Sequence, residues 1–345
     1  TNTIYVQVRW ASGNQGYFTS ESMESAGFTA YDNHTILAMG TPDEITLKLR
    51  DLVFVPTSNF VTVGTTDEIS FELKVGMMGN QEDDEINVVL NSLSVNDAPV
   101  IGGALSDQGV NDNTTISPFA AVTLVDNDPS QLVTVSVTIS NTAHGTFSAG
   151  SLEATGFSAA GNGLFTRTAM VSVMQTAIRG LVFVPVENDM TVGNFRSTGF
   201  SIEVTDEANA SDTNSITTVV TTSVNTLPSM SGLEAEQEVN DVGSLFPFFE
   251  VTITDADFEE SLLVTITLDT AAKGALSNLG GGSYNSETGV YTVSGTPSEV
   301  TTAIRNLIFT PTANRAGVGF IETTTFNIEV VDSLDASDSS SDASV

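Results

Sequence analysis

The fold is decided by the stretch Leu52-Val53-Phe54-Val55-Pro56, which the chain repeats twice. It returns as Leu181-Val182-Phe183-Val184-Pro185 and again as Leu307-Ile308-Phe309-Thr310-Pro311. Phe54 and Phe183 are 129 positions apart, and Phe183 and Phe309 are 126 positions apart. A fixed period of this length indicates tandem copies of one unit, each about the size of a small domain.

Other landmarks keep the same spacing and extend the repeat over most of the chain. Val110-Asn111-Asp112 returns as Val239-Asn240-Asp241, and Asp126-Asn127-Asp128 returns as Asp255-Ala256-Asp257, each 129 positions later. Apolar residues alternate with Thr and Ser inside each copy, as in residues 133–139, which is the pattern of half-buried strands. β-Branched segments separated by Asn, Asp and Gly turns favour an antiparallel β-sandwich.

One short helical turn is expected in each copy, just before the Phe-x-Pro strand. Thr41-Pro42-Asp43-Glu44 and Thr296-Pro297-Ser298-Glu299 each place a capping Thr, then Pro at the first helical position and Glu at the third. This order is a capping box. The middle copy has Met170 at the capping position and departs from the box. The sequence therefore predicts an all-β chain of tandem antiparallel β-sandwich repeats of about 129 residues, each with one short helical turn.

The period also predicts where the repeats begin and end. Residues 1–96 are predicted to be an incomplete first repeat that lacks its first two strands, because Val6 and Val8 align with the third strand of the middle copy. Residues 97–225 are a complete repeat, and residues 226–345 are a repeat truncated in its last strand. Two interpretations stay open: a window of a longer polymer of repeats, or a first sandwich whose missing strands come from another chain.

Composition excludes several classes of partner and site. The chain has 43 acidic and 10 basic residues and a formal net charge of −33. Such a field repels nucleic acid and anionic membrane surfaces and favours cations. No cysteine is present, which excludes disulfides, thiolate metal sites and a cysteine nucleophile. No apolar run approaches the roughly 20 residues of a membrane span.

Acidic residues from separate loops are predicted to meet at one pole of each sandwich. In the middle copy the linker carries Asp97, the loop after the second strand carries Asp126 and Asp128, and the loop after the sixth strand carries Asp206 and Asp212. In a seven-strand sandwich these loops return to the pole of the incoming linker. The last copy repeats the set as Asp255, Asp257, Asp332 and Asp338.

These acids suggest a calcium site at each repeat junction. Crowded carboxylates repel one another unless a cation lies among them, and calcium takes six to eight oxygen ligands. The alternative interpretation is that Asp and Asn simply form Asx turns in an acidic protein. The linker acid is replaced by Thr226 in the last copy, and Met77 stands in the first copy where the others have Asp206 and Asp332. Any site at the pole of the first copy should therefore be weak.

The same residues resemble a known family. Val95-Asn96-Asp97-Ala98-Pro99, the Asp-x-Asp loop at 126–128, the Phe-x-Pro strand and Ile202-Glu203-Val204-Thr205-Asp206 follow one another in an order similar to the cadherin-like tandem repeats of large bacterial surface adhesins. The resemblance implies cadherin- or immunoglobulin-like sandwiches that form a rod, often stiffened by calcium. In such proteins the rod lies at the cell surface and carries a binding tip away from it.

Catalysis has little support in the sequence. The chain has two histidines, and no nucleophile elbow or phosphate-cradling glycine loop is recognisable. The first predicted function is a non-catalytic structural or adhesive region of a large secreted or cell-surface protein, whose partners are the neighbouring repeats, with surface glycans or receptors left open. The alternative is an extracellular filament or matrix subunit that assembles with copies of itself by strand exchange.

Overall fold

The computed structural model describes residues 3–77 and 84–345. Repeat one, repeat two and repeat three denote the predicted ranges 1–96, 97–225 and 226–345. The strands of repeat one are β1 (Ile4–Trp10), β2 (Gly16–Phe18), β3 (Thr29–Asp32), β4 (Thr35–Gly40), β5 (Phe54–Pro56), β6 (Thr66–Met77) and β7 (Asp84–Leu93). Those of repeat two are β8 (Val100–Gly102), β9 (Gln108–Asn111), β10 (Thr123–Val125), β11 (Leu132–Ile139), β12 (Gly145–Phe147), β13 (Ser158–Gly161), β14 (Leu164–Met170), β15 (Phe183–Pro185), β16 (Phe195–Asp206), β17 (Ser211–Asn214) and β18 (Thr218–Thr222).

Repeat three contains β19 (Ser229–Ser231), β20 (Thr252–Thr254), β21 (Leu262–Leu268), β22 (Gly274–Ser277), β23 (Ser283–Asn285), β24 (Val290–Gly295), β25 (Ile308–Pro311), β26 (Thr325–Val331) and β27 (Ser337–Ser344). The helices are α1 (Ser20–Ala26), α2 (Pro42–Arg50), α3 (Ala149–Thr155), α4 (Val171–Arg179) and α5 (Pro297–Arg305), and single 3-10 turns lie at Thr142–His144 and Ala271–Lys273.

Each repeat is built on a main sheet with the same arrangement at its centre. β1 lies between β4 and β6, β11 between β14 and β16, and β21 between β24 and β26, all antiparallel. The Phe-x-Pro strands β5, β15 and β25 pair with β2, β12 and β22 in small two-stranded sheets. The all-β, antiparallel sandwich architecture of the predicted repeats is confirmed.

The alternating residues of the central strands form the hydrophobic cores. Val133, Val135 and Val137 of β11 are fully buried, as expected from their period of two. Three separate core clusters result, one in each repeat. Trp10 is buried in the core of repeat one. Its indole N–H donates to Gly16 O at 3.1 Å, and its ring packs edge-on against that of Phe18, with the ring centroids 5.4 Å apart.

The helix before each Phe-x-Pro strand begins as the sequence predicts. Thr41 and Thr296 cap α2 and α5. In both cases the Thr hydroxyl accepts from the backbone N–H of the Glu three residues later, and the Glu carboxylate accepts from the backbone N–H of the Thr. Met170 begins α4 without a side-chain cap. The helical content exceeds the predicted single turn, because these helices have nine residues and repeats one and two each contain a second helix, α1 and α3.

The segment from Pro99 to Asp126 differs from the two strands that the sequence predicts. It forms three short strands, because the chain leaves one sheet after β8, which pairs with β10, and joins the other as β9, which pairs in parallel with β18. Gly103 makes this crossing with φ 69°, where a Cβ would lie 2.0 Å from Ala121 O. Only glycine fits both demands, and Gly232 repeats them in repeat three.

Candidate metal centres at the repeat linkers

The linker into repeat two is held by two loops that end distant strands. The backbone N–H of Asp97 donates to Asp128 Oδ2 at 2.7 Å, and Asn96 Nδ2 donates to Asp206 Oδ2 at 2.8 Å. Asp128 follows β10, whereas Asp206 ends β16. The structure therefore brings acids from three separate parts of the chain to one pole of the sandwich.

The Asp126–Asp128 loop is shaped by an Asx turn. Asp128 N–H donates to Asp126 Oδ1 at 3.0 Å, which turns the chain at this loop. Asp128 is only 6% exposed, and its Oδ1 is buried without a hydrogen-bond partner. Asp126 Oδ2 and Gln131 Oε1 are buried without a partner as well. An unpaired buried carboxylate oxygen is costly, so these atoms need a cation or water to satisfy them.

Repeat three reproduces this arrangement at the next linker. Thr226 N–H donates to Asp257 Oδ2 at 2.9 Å, and Asn225 Nδ2 donates to Asp332 Oδ2 at 2.8 Å. Asp257 N–H donates to Asp255 Oδ1 at 3.0 Å. The buried oxygens that lack a partner are Asp255 Oδ2, Asp257 Oδ1 and Asn225 Oδ1.

The acids of each cluster influence one another's ionisation. Burial raises the pKa of Asp126, and the charges of Asp128, Asp206 and Asp97 raise it further against the hydrogen bond from the Asp128 amide. Burial raises the pKa of Asp255 in the same way, assisted by the charges of Asp257, Glu260 and Asp332. Repulsion between carboxylates at both poles is therefore a property of the fold and is relieved by bound cations or protons.

The pKa of Asp332 is shifted in the opposite direction from that of Asp255 in the same cluster. Burial alone would raise the pKa of its carboxyl, but hydrogen bonds from Asn225 Nδ2 and from the amides of Ala336 and Leu334 hold that pKa below its usual value. Asp332 therefore stays ionised beside Asp255.

Two of the predicted site residues, Asp212 and Asp338, hydrogen-bond to the first strand of their repeat. Asp212 Oδ2 accepts from Ile101 N–H at 2.8 Å and its Oδ1 accepts from Thr213 N–H at 2.8 Å. Asp338 Oδ2 accepts from Met230 N–H at 2.9 Å. Both residues fix the first strand of their repeat, Asp212 through Oδ2 and Asp338 through Oδ2, and the Oδ1 of Asp212 caps the N–H of its own neighbour Thr213.

Sequence reasoning missed two buried residues of the clusters, Gln131 and Glu260. Gln131 Nε2 donates to Asn96 Oδ1 at 3.0 Å and approaches Asp128 Oδ2 at 3.3 Å. Glu260 is 8% exposed and its Oε1 accepts from Ser333 N–H at 2.8 Å. The repeat period shows that these two residues are equivalent, 129 positions apart, but it does not show that either of them contacts a cluster.

The donor set fits a hard cation. Each cluster offers carboxylate and amide oxygens, the ligands that calcium takes at flexible geometry. Within residues 3–77 and 84–345, no three Asp, Glu or His side chains already stand in a coordination shell. Most of the carboxylate oxygens accept hydrogen bonds from amides, whereas Asp126 Oδ2 and Asp255 Oδ2 are buried without a partner.

A hydrogen bond joins repeat one to the linker. Asn59, in the loop after β5, donates through Nδ2 to Asp97 Oδ2 at 2.8 Å. Asn188 stands in the same place in repeat two, where its Oδ1 accepts from the Thr226 hydroxyl at 3.4 Å. Both Asn residues have positive φ, of 55° and 54°, which Asn tolerates better than most residues.

Comparisons with known proteins identify a fold likeness. No family model and no curated protein matches the chain. Solved structures similar to it include protocadherin gamma B7 extracellular cadherin domains 1–4, at 9% identity and TM-score 0.27, covering 98% of this chain and 65% of that one. Drosophila N-cadherin EC1-3 matches at 12% identity and TM-score 0.21, over 97% and 86% of the two chains. Surface layer protein SbsC, domains 4–9, matches at 12% identity and TM-score 0.23, over 94% and 46%.

The chain spans 65% of the length of the first of these structures. Among the described residues no helix is both long and apolar enough to cross a bilayer.

Proposed function

We propose that the chain is a non-catalytic structural or adhesive region of a large secreted or cell-surface protein, with calcium bound at the linkers between its repeats. The proposal is carried by one observation made twice. Asp128 and Asp257 are each 6% exposed, lie at equivalent linkers, and keep one carboxylate oxygen buried without a partner. An Asx turn alone explains Asp126 Oδ1 but leaves Oδ2 of the same residue unsatisfied.

Asp97, Asp126, Asp128 and Asp206 would hold the first ion, with Asp255, Asp257 and Asp332 holding the second. The ion would neutralise carboxylates that the fold forces together, and it would tie the linker to the loops after β10 and β16. Bound calcium would restrain the first linker because Asp97 in the linker would share one ion with acids from two loops of repeat two. This restraint would give a row of sandwiches a defined direction, as a spacer at the cell surface requires.

Calcium titration tests the proposal. The full chain should bind two calcium ions by isothermal titration calorimetry, at about 10⁻⁴ to 10⁻³ M, as extracellular modules do. Its melting temperature should rise with calcium by mass action. Asp126→Asn with Asp128→Asn should lose one binding event and melt higher than the parent in chelator, because repulsion is relieved. Exposed acids supply the matched control, Glu153→Gln with Glu250→Gln, which removes the same charge and should bind as the parent.

A parent chain that shows no heat of binding and no chelator-dependent melting would contradict the proposal. Equal loss of binding in both double variants would mean that the ions respond only to net charge.

A filament or matrix subunit is a second candidate, and exposed apolar residues of repeat one favour it. Ile86, Val88 and Leu90 lie on β7 opposite Leu73, Phe71 and Ile69 of β6, so they continue the core face of the sheet. They are 62%, 48% and 36% exposed, whereas Val219 of β18, the counterpart of Leu90, is fully buried. In repeat two residues 100–125 supply Ile101, Val122 and Leu124 to the same buried core cluster as Val219.

On this alternative the face of repeat one would take up strands from a second copy. The mass of the chain, measured by light scattering, should then rise with concentration, and a peptide of residues 99–126 should stop the rise. Val88→Thr with Leu90→Thr should give a monomer. Val89→Thr, on the opposite face of the same strand, should still assemble. A monomer at every concentration would reject the alternative and leave the spacer.

A further inference from the structure

The two linker clusters differ at two positions, and the two differences leave the number of carboxylates unchanged. Repeat two has Asp97 in the linker and Gln131 after the Asx loop, whereas repeat three has Thr226 and Glu260 at the same positions. The fourth carboxylate of the first cluster is Asp97 on the linker. The fourth carboxylate of the second cluster is Glu260, three residues after Asp257 of the Asx loop. The number of carboxylates is the same.

In repeat two the side-chain amide of Gln131 hydrogen-bonds to the linker. Its Nε2 donates to Asn96 Oδ1, which satisfies that oxygen, and its own Oε1 is left buried without a partner. Gln131 is 6% exposed, so this oxygen has no access to bulk water. The free oxygens of the first cluster are thus Asp126 Oδ2, Asp128 Oδ1 and Gln131 Oε1.

In repeat three a carboxylate replaces that amide and cannot donate. Asn225, the counterpart of Asn96, consequently keeps its Oδ1 buried without a partner. Ser333 N–H holds one oxygen of Glu260, and the charge of Glu260 acts on Asp255 as the charge of Asp97 acts on Asp126. The free oxygens of the second cluster are Asn225 Oδ1, Asp255 Oδ2 and Asp257 Oδ1, again three.

We propose that Glu260 takes the place of the missing linker acid, so that the second cluster binds its divalent cation with four carboxylates that all come from repeat three. This inference rests on the proposed calcium function and adds to it a division of labour between the two sites. The first site includes a linker carboxylate that Asn59 of repeat one also contacts. The second site contacts the linker through the Asn225 side chain and the Thr226 N–H, and the Thr226 hydroxyl contacts Asn188 of repeat two.

The test isolates the second site. In a background of Asp126→Asn and Asp128→Asn, which silences the first site, calorimetry reads calcium binding by repeat three alone. Glu260→Gln should weaken that binding by about tenfold or more, because calcium affinity follows the number of ligand charges. Glutamine can still accept from Ser333 N–H, so the fold should persist, as circular dichroism would show.

Adding Thr226→Asp to Glu260→Gln recreates the arrangement of repeat two and should restore the affinity to within a few fold. This rescue distinguishes a ligand from a residue that merely supports the loop. If Glu260→Gln prevents folding, the reverse exchange decides: in an Asp255→Asn, Asp257→Asn background, Asp97→Thr should weaken the first site and Gln131→Glu should rescue it.

Failures of the two proposals are distinguishable. No calcium binding in the Asp126→Asn, Asp128→Asn background would reject the proposed function at this linker. Binding there that Glu260→Gln leaves unchanged, or that Thr226→Asp fails to restore, would overturn the role of Glu260 and leave calcium binding standing.

Discussion

Single buried polar groups distinguish repeats that share one backbone plan. Tyr291 lies in the core of repeat three with its ring fully buried, and its hydroxyl donates to Leu279 O at 2.8 Å. Phe165 and Ile36 hold the same position in repeats two and one. Burial raises the pKa of Tyr291 to about 12. This repeat alone therefore places a titratable hydroxyl at that point of its core.

This hydroxyl predicts a loss of stability in alkali. The phenol ionises near pH 10 in the unfolded chain, so its stabilising effect is complete below about pH 10 and is lost as the pH rises toward 12. At neutral pH, Tyr291→Phe should destabilise repeat three by about 1 kcal/mol through the lost hydrogen bond. That difference should shrink as the pH rises.

Urea unfolding of parent and variant at several pH values measures the change, and phenolate absorbance reports the ionisation. Tyr31→Phe, at a side chain that is 74% exposed, is the control and should leave the pH dependence unaltered. A parent and a Tyr291→Phe variant that lose stability in parallel above pH 10 would contradict the assignment.

At the scale of elements, the helices before the Phe-x-Pro strands differ in how they begin: α2 and α5 have a capping box, and α4 has no side-chain cap. Thr296 accepts from Glu299 N–H, and the Glu299 carboxylate accepts from Thr296 N–H at 2.9 Å. The backbone hydrogen bond from Thr296 holds the pKa of Glu299 below its usual value. α4 of repeat two lacks both partners and is held instead by buried Met174, Ala177 and Ile178.

Cap substitutions should therefore act oppositely in the two repeats. Thr296→Ala should destabilise repeat three by about 1 kcal/mol, and Met170→Thr should stabilise repeat two by a few tenths to about 1 kcal/mol. Because the pKa of Glu299 is lowered in the folded state, its contribution is present above the unfolded value and is lost as the pH falls through the folded one. Thermal unfolding at neutral and acidic pH checks both, and a cost of Thr296→Ala that persists unchanged in acid would show that Glu299 plays no part.

At the scale of the whole molecule, the junctions decide how far the repeats act together. The first linker is tied to repeat one by a direct side-chain hydrogen bond, Asn59 Nδ2 to Asp97 Oδ2 at 2.8 Å. The second has a longer contact, from the Thr226 hydroxyl to Asn188 Oδ1 at 3.4 Å. A chain of net charge −33 also repels itself, so contacts and cations at the linkers oppose that repulsion.

The first junction should consequently be the stiffer one. Asn59→Gly keeps the positive φ without strain and removes the amide, so it should widen the distance distribution between spin labels on repeats one and two. Asn188→Gly should have a smaller effect across the second junction. Equal widening by both substitutions would show that the Asp97 contact carries no special restraint.

The sequence by itself determined the features that depend on local, periodic chemistry. The repeat, the alternating strand at residues 133–139 and the capping boxes at Thr41 and Thr296 all follow from residue spacing. These predictions are confirmed because backbone geometry ties each pattern to one local structure. The metal role of the predicted acids stays a prediction, and the repeat boundaries also remain predicted.

Only the tertiary structure decided which polar atoms face one another. It separated Asp212, whose oxygens take the backbone of Ile101 and Thr213, from Asp128, whose Oδ1 is left without a partner. It also placed Gln131 against Asn96 of the linker and Glu260 against the N–H of Ser333, the residue after Asp332. The physical reason is that hydrogen-bond partners depend on which ends of distant strands lie next to each other. The spacing of residues along the chain does not determine which individual polar atoms face one another there.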